Sequence, residues 1–250
     1  MHEEDNLRVL TEDEFESPLD HLGEADQEAA PPPDPEEMLA LLAGSEPQQQ
    51  MIAARAFCEI EDPRAIPFLV ELLKSTCPLV RVSAAYALGR NTSIDAVESL
   101  IEVYQSELNG YVRKGVIWAI GNCCDVRCVD TLTHALQTDI SAVRLWAASG
   151  LAQLAKLEYK EMIKAIPPLI ESLRRDPVAA VRSNCAWSLG QLCRELPSNV
   201  VYATAIDALI ESLAEDEDLG VKDDARAALL KVGDPNGLQM IEDLELDGLI

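Results

Sequence analysis

From Pro35 onward the apolar positions recur at helical spacing, in blocks that repeat along the chain. The sharpest block is YVRKGVIWAIGNCC, from Tyr111 to Cys124. It returns as PLVRVSAAYALG (Pro78 to Gly89), SAVRLWAASGLA (Ser141 to Ala152) and AAVRSNCAWSLG (Ala179 to Gly190). A looser copy is LGVKDDARAALL (Leu219 to Leu230), and a degenerate first copy is PQQQMIAARAFC (Pro47 to Cys58), with Gln50 in the arginine slot. The anchors Arg81, Arg113, Arg144, Arg182 and Lys222 stand 32, 31, 38 and 40 residues apart. A period of roughly 30–45 residues with two helices per unit marks a helical solenoid, in which each repeat buries its apolar face only against its neighbours.

The pattern predicts six helix pairs. They are 36–43 with 48–60, 63–74 with 79–90, 94–107 with 111–122, 126–137 with 142–157, 162–174 with 179–196, and 202–214 with 220–232. A last helix, 238–244, caps the open end. Asp-Pro at 62–63 and 234–235 reads as a helix cap followed by proline at the first helical position. Asp176-Pro177 falls in the turn inside the fifth pair. No stretch alternates with period two for long, so no sheet is expected. The fold class is therefore all-α: an α-solenoid of about six pairs spanning 35–250, preceded by a separate segment, 1–34.

Advancing 100° per residue from the anchor separates two faces of each second helix. Positions −1, +3, +4 and +7 are apolar or small: Val112, Val116, Ile117 and Ile120 in one unit, Val181, Cys185, Ala186 and Leu189 in another. That face is expected to be buried, with alanines letting helices approach closely. Position +5 points almost opposite and holds Tyr86, Trp118, Ser149 and Trp187; position +2 flanks it and holds Trp146. Two readings follow. Either neighbouring helices cover these rings, or Tyr86, Trp118, Trp146 and Trp187 form an aromatic strip that binds a partner.

Charge changes the picture at both ends. The net charge of −24 argues against nucleic acid or anionic lipid as a general partner. Residues 1–34 hold twelve acids against Arg8 alone, then three consecutive prolines at 31–33. They read as an acidic disordered tail with a stiff spacer, within which Leu7, Val9, Leu10, Phe15, Leu19 and Leu22 are either scattered and solvated or part of a short linear motif that docks on a partner or on the solenoid itself. No apolar run approaches ~18–20 residues, so no membrane span is expected, and the acidic start lacks a signal-peptide pattern. Seven cysteines, mostly inside helices, favour a reducing, cytoplasmic setting over a disulfide framework.

Cys123-Cys124-Asp125-Val126-Arg127-Cys128 is the one dense cluster of soft ligands. Thiolates there could bind zinc or an iron–sulfur cluster. The spacing matches no standard zinc knuckle, and Cys123 stands where other units place a core residue. Cys124 and Cys128 are the expected exposed pair, so a full metal site borrows ligands from a second chain. The alternative is a set of inert thiols. His134 has no histidine companion in its unit, His2 and His21 lie in the tail, and no P-loop, G-x-S-x-G or paired catalytic Cys and His appears.

DPRAIPFLVELL followed by VRVSAAYALG resembles the HEAT-like repeat in its bilin-lyase subclass, a likeness covering Pro35 to about Val232. It implies a right-handed superhelix whose second helices line the concave face. It also implies that the ladder Arg81, Arg113, Arg144 and Arg182 pairs with acids of adjacent turns, such as Asp139 or Asp176, rather than forming a basic groove for an acidic partner. GYVRKGVIWAIGNC and TDISAVRLWAASGLA are similar to cyanobacterial HEAT-repeat partners of A-type iron–sulfur carriers. That likeness implies a non-catalytic scaffold in iron–sulfur assembly or iron sensing, with Cys124 and Cys128 beside a cluster shared with the partner. The alternatives implied are an E/F-type phycobilin lyase subunit and a phycobilisome-binding adaptor with a phycobiliprotein as partner. Many E/F subunits carry a YYAAWWL-like helix, of which VSAAYALG keeps only Tyr86. The several His-Glu pairs of the HEAT-like di-iron hydroxylases are missing, since only His2-Glu3 occurs.

Overall fold

The structure, a computed structural model, describes residues 33–248. The expected acidic tail, residues 1–34, lies outside the described residues except for its last two. The rest forms a single compact unit. Among the described residues every regular element is a helix, and none is long and apolar enough to cross a membrane.

Six antiparallel pairs follow one another: α1 (Pro35–Leu42) with α2 (Pro47–Ala56), α3 (Ile66–Leu72) with α4 (Pro78–Arg90), and α5 (Val97–Ser106) with α6 (Gly110–Asn122). Then come α7 (Cys128–Thr138) with α8 (Ser141–Ala152), α9 (Tyr159–Arg175) with α10 (Ala179–Cys193), and α11 (Val200–Glu215) with α12 (Leu219–Val232). A thirteenth helix, α13 (Pro235–Leu246), packs on α11 and α12 and closes the end. Local chemistry sets the boundaries. Asp62 and Asp234 accept from backbone amides two residues on, each beside a proline that has no amide to satisfy. Asn109 and Asn199 cap α6 and α11 in the same way. Gly233, at φ 72°, takes the left-handed turn that ends α12. The long helix expected over 142–157 is shorter: it stops at Ala152 and passes into a 3-10 turn, Gln153–Lys156.

The face read from the sequence as buried is buried. Val112, Val116, Ile117 and Ile120, with Val181, Cys185, Ala186 and Leu189, have no solvent exposure. Consecutive second helices, α2 through α12, pack directly on one another. Small residues make this approach possible. A Cβ on Gly121 would lie 2.7 Å from Gly150 Cα, and one on Gly190 would lie 2.7 Å from Ala228 Cβ. Side-chain amides then fix the register: Asn122 donates to the Gly89 carbonyl at 3.0 Å, and Asn184 to that of Leu145 at 3.1 Å. The first helices contact one another less. The second helices are thus the tighter layer, and the stack bends toward them.

The arginines lock the turns inside successive pairs. Arg113 forks onto Asp139, with Nε–Oδ2 2.8 Å and Nη2–Oδ1 2.7 Å, while its Nη1 donates to the Leu108 carbonyl at 2.9 Å. Arg81 meets Glu107, Arg144 meets Asp176 and Arg182 meets Asp216 with the same fork. At the last rung Lys222 reaches the Ala214 carbonyl. Each arginine therefore ties its own turn to that of the next pair through a planar, bidentate contact. Burial alone would raise the Asp139 carboxyl. The Arg113 fork, the Ile140 amide and the Tyr104 hydroxyl outweigh it and hold the group below its ordinary value. Glu107 and Asp216 are likewise held low against burial by their arginines and by turn amides.

Two outcomes are expected. Gly121→Ala should lower stability by about 1–3 kcal/mol, because overpacking the α6–α8 crossing exceeds the gain in helix propensity. Gly115→Ala, whose Cβ meets Ala85 Cβ at 3.3 Å and the Tyr86 ring at 3.5 Å, should cost less. Urea midpoints that rank the two in the opposite order would refute the small-residue argument. A carboxyl held low in the folded chain adds stability above its unfolded pKa and loses it as pH falls through the folded one. The urea midpoint should therefore stay level at neutral pH and drop from about pH 4 downward. Asp139→Ala should remove about 3 kcal/mol at pH 7 by leaving Arg113 unpaired, and should flatten that acid dependence.

Candidate functional site

The face of the second helices opposite the core carries the aromatic residues. Tyr86 on α4, Trp118 on α6, Trp146 on α8 and Trp187 on α10 are each half-buried, neither sealed in the core nor free. Three of them form a continuous row. Tyr86 and Trp118 lie 5.4 Å apart between ring centroids, tilted by 46°. Trp118 and Trp146 lie 6.4 Å apart, nearly edge to face at 78°. Such geometry suits aromatic pairs, whose negative faces attract positive edges. Glycine makes room for the row: a Cβ on Gly89 would lie 2.3 Å from the Trp118 ring, so the indole rests on the α4 backbone.

Trp187 stands apart. Among the described residues it contacts no other ring; it lines a shallow cleft of about 230 Å³ with Ala155, Lys156, Gln191 and Arg194. The four-membered strip expected from the sequence is thus a row of three plus a separate indole. The 3-10 turn after α8 causes the break, because it packs against α10 where a fourth neighbour would otherwise reach. Around the row, Arg90 sits one turn beyond Tyr86, and Lys114 one turn before Trp118, so each shares its ring's helix face.

The cysteine cluster is not a ligand set. Cys128, expected to be exposed, is buried; it opens α7, where its side chain joins the core. Cys123 and Cys124 are half-buried, and Cys124 adopts a left-handed backbone at φ 50°. Burial pushes the Cys128 thiol up to about 12 and the Cys123 thiol up to about 11. Among the described residues no three of His, Cys, Asp or Glu are gathered to hold a metal ion. These residues do not fit an iron–sulfur cluster, and no chemistry is routed through one. His134 makes only a local contact with Thr138.

Two features of this architecture escaped the sequence reading. Glu107 and Asp216 complete ladder rungs. The available signal was positional, since every rung acid stands five or six residues before the next anchor cation. The cations beside the aromatic row are not marked by the repeat, whose recurring arginines spend their charge on carboxylates.

Comparison with known proteins agrees with this architecture. The chain shares 40% identity over 110 residues with the bilin biosynthesis protein RpcF of Synechococcus sp. (strain WH8020), which is 44% of this chain and 51% of that protein. The chain thus spans about half the length of this curated relative. The complex of CpcE and CpcF of phycocyanin lyase from Nostoc sp. PCC7120 contains a chain that superposes with a TM-score of 0.55 at 26% identity, over 67% of this chain and 99% of that one. A designed armadillo repeat protein in complex with the peptide (KR)4 shares the fold alone, with a TM-score of 0.60 at 19% identity over 79% of this chain and 98% of that one. The family of HEAT repeats matches residues 35–115, 97–190 and 166–247. With repeats, helix pairs and ladder all accounted for over that span, the chain belongs to the HEAT-repeat family.

Proposed function

We propose that this protein acts by holding a partner protein on its second-helix face, as a lyase-type subunit in bilin attachment. The observation that carries the docking part is the Tyr86–Trp118–Trp146 row. Three large rings stay partly exposed side by side, with only Trp146 also packed against the core. Rigid aromatics give large contact area at small cost in side-chain entropy, which is why they dominate binding hot spots. The bilin part is supported by the kinship with RpcF and with the CpcE–CpcF complex, in which two chains of the lyase associate. The expected partners are therefore a second lyase-type subunit and the phycobiliprotein that receives the pigment. An A-type iron–sulfur carrier as partner finds no comparable support, since Cys128 is buried.

The test mixes the purified protein with phycocyanobilin, an apo-phycobiliprotein and a lyase partner subunit. Co-elution with the phycobiliprotein or the subunit, with a changed visible bilin spectrum, is the expected result. Trp118→Ala should weaken that association roughly tenfold or more. Its cost in stability should stay near 1–2 kcal/mol, below the ~3–5 of a fully buried aromatic. No association with either protein and no spectral change would dispose of the bilin reading. A collapse of melting in Trp118→Ala would instead mark the row as core.

A further inference from the structure

Among 250 residues, 44 are Asp or Glu, yet not one lies in α2, α4, α6, α8 or α10. The first helices and the turns carry the acid instead: Glu98 and Glu102 on α5, Glu161 and Glu171 on α9, Asp207, Glu211 and Glu215 on α11. The five acid-free helices hold seven cations. Four are the ladder arginines, each neutralised by its rung. The other three, Arg55, Arg90 and Lys114, have no carboxylate within ion-pair distance among the described residues, and Arg90 makes only a backbone contact with the Cys58 carbonyl. Helical spacing puts them on the aromatic face, since Arg90 and Lys114 are each one turn from a ring of the row. At the other end of the row the Trp187 cleft is flanked by Lys156 and Arg194, with Glu195 as its single acid. Beyond it the acid-free run stops: α12 carries Asp223 and Asp224.

We infer that this face takes an extended, acidic segment of a partner protein. Its carboxylates meet Arg55, Arg90 and Lys114 alongside the row, and Lys156 and Arg194 beyond it. Its apolar or aromatic side chains lie on Tyr86, Trp118 and Trp146. In so acidic a chain, unpaired cations on helices without carboxylates give an anionic partner local attraction rather than repulsion. The length of the row favours a chain segment over a small dianion. Five helices spaced 8–10 Å apart span about 40 Å, the reach of about a dozen extended residues. Asp223 and Asp224 end the track by repulsion, which fixes how far the segment runs. This inference rests on the docking part of the proposed function and not on bilin.

The experiment measures fluorescence anisotropy of a labelled dodecapeptide of alternating Glu and Tyr, alongside its Gln/Tyr and Lys/Tyr counterparts, with no bilin present. The Glu/Tyr peptide should bind, and the Gln/Tyr peptide should bind at least about tenfold more weakly. The Lys/Tyr peptide should not bind, and added salt should weaken the complex. The triple variant Arg55→Ala, Arg90→Ala, Lys114→Ala should lose about tenfold in affinity while keeping its circular dichroism, because none of the three is buried. Equal binding of the Gln/Tyr peptide, binding of the Lys/Tyr peptide, an unaffected triple variant, or no binding at all would overturn the inference. Each of those results would leave the bilin reading to its own spectral test, and a failed spectral change there would leave this one standing.

Discussion

Successive second helices approach so closely that their backbones nearly touch, and most of the structure follows from that contact. At the α6–α8 crossing glycine faces glycine, and at α10–α12 glycine faces alanine. Even a Cβ on Gly121 or Gly190 would crowd the facing helix, so the repeat must keep small residues at fixed places whatever else varies. Because the first helices have no matching small-residue seam, their layer spreads and the stack curves. The same crowding lifts the aromatic residues onto the far side of these helices. An indole has no room between α4 and α6 except over a glycine, and Gly89 supplies that room for Trp118.

The arginine ladder solves a different problem. Turns inside the pairs leave carbonyls without helical donors, and these turns line one edge of the stack. Each arginine gives one nitrogen to a carbonyl of its own turn and a planar fork to the acid of the next. The acid in turn accepts from a turn amide, as Asp139 does from Ile140 and Asp176 from Val178. Charge is thereby consumed inside the edge and does not project into the aromatic face. That separation leaves Arg55, Arg90 and Lys114 as the cations available to a partner there.

The cysteines show how misleading a dense motif can be. Three thiols within six residues suggest soft-metal chemistry, but a helix start intervenes. Cys128 begins α7 and turns into the core, while Cys124 sits on a left-handed turn outside it. Burial raises the Cys123 and Cys128 thiols, which lowers their reactivity as free nucleophiles, and no three ligand-type side chains gather there among the described residues.

Sequence alone determined what depends on local period and on repetition. The helical spacing of apolar residues fixed the pairs and the buried face, because a side chain one or four positions from Arg113 points the same way in any helix. The recurrence of the anchor fixed the solenoid. Capping acids and prolines placed the ends to within a few residues. Tertiary structure decided what depends on the offset between one unit and the next. That offset varies, since the units differ in length by up to nine residues from anchor to anchor. It chose Glu107 and Asp216 as rung acids, joined Trp146 to Trp118 from a different helical position, and set Trp187 beside a 3-10 turn instead of a ring. A single helix carries no information about how far its neighbour is displaced along the stack; only packing of the two backbones supplies it.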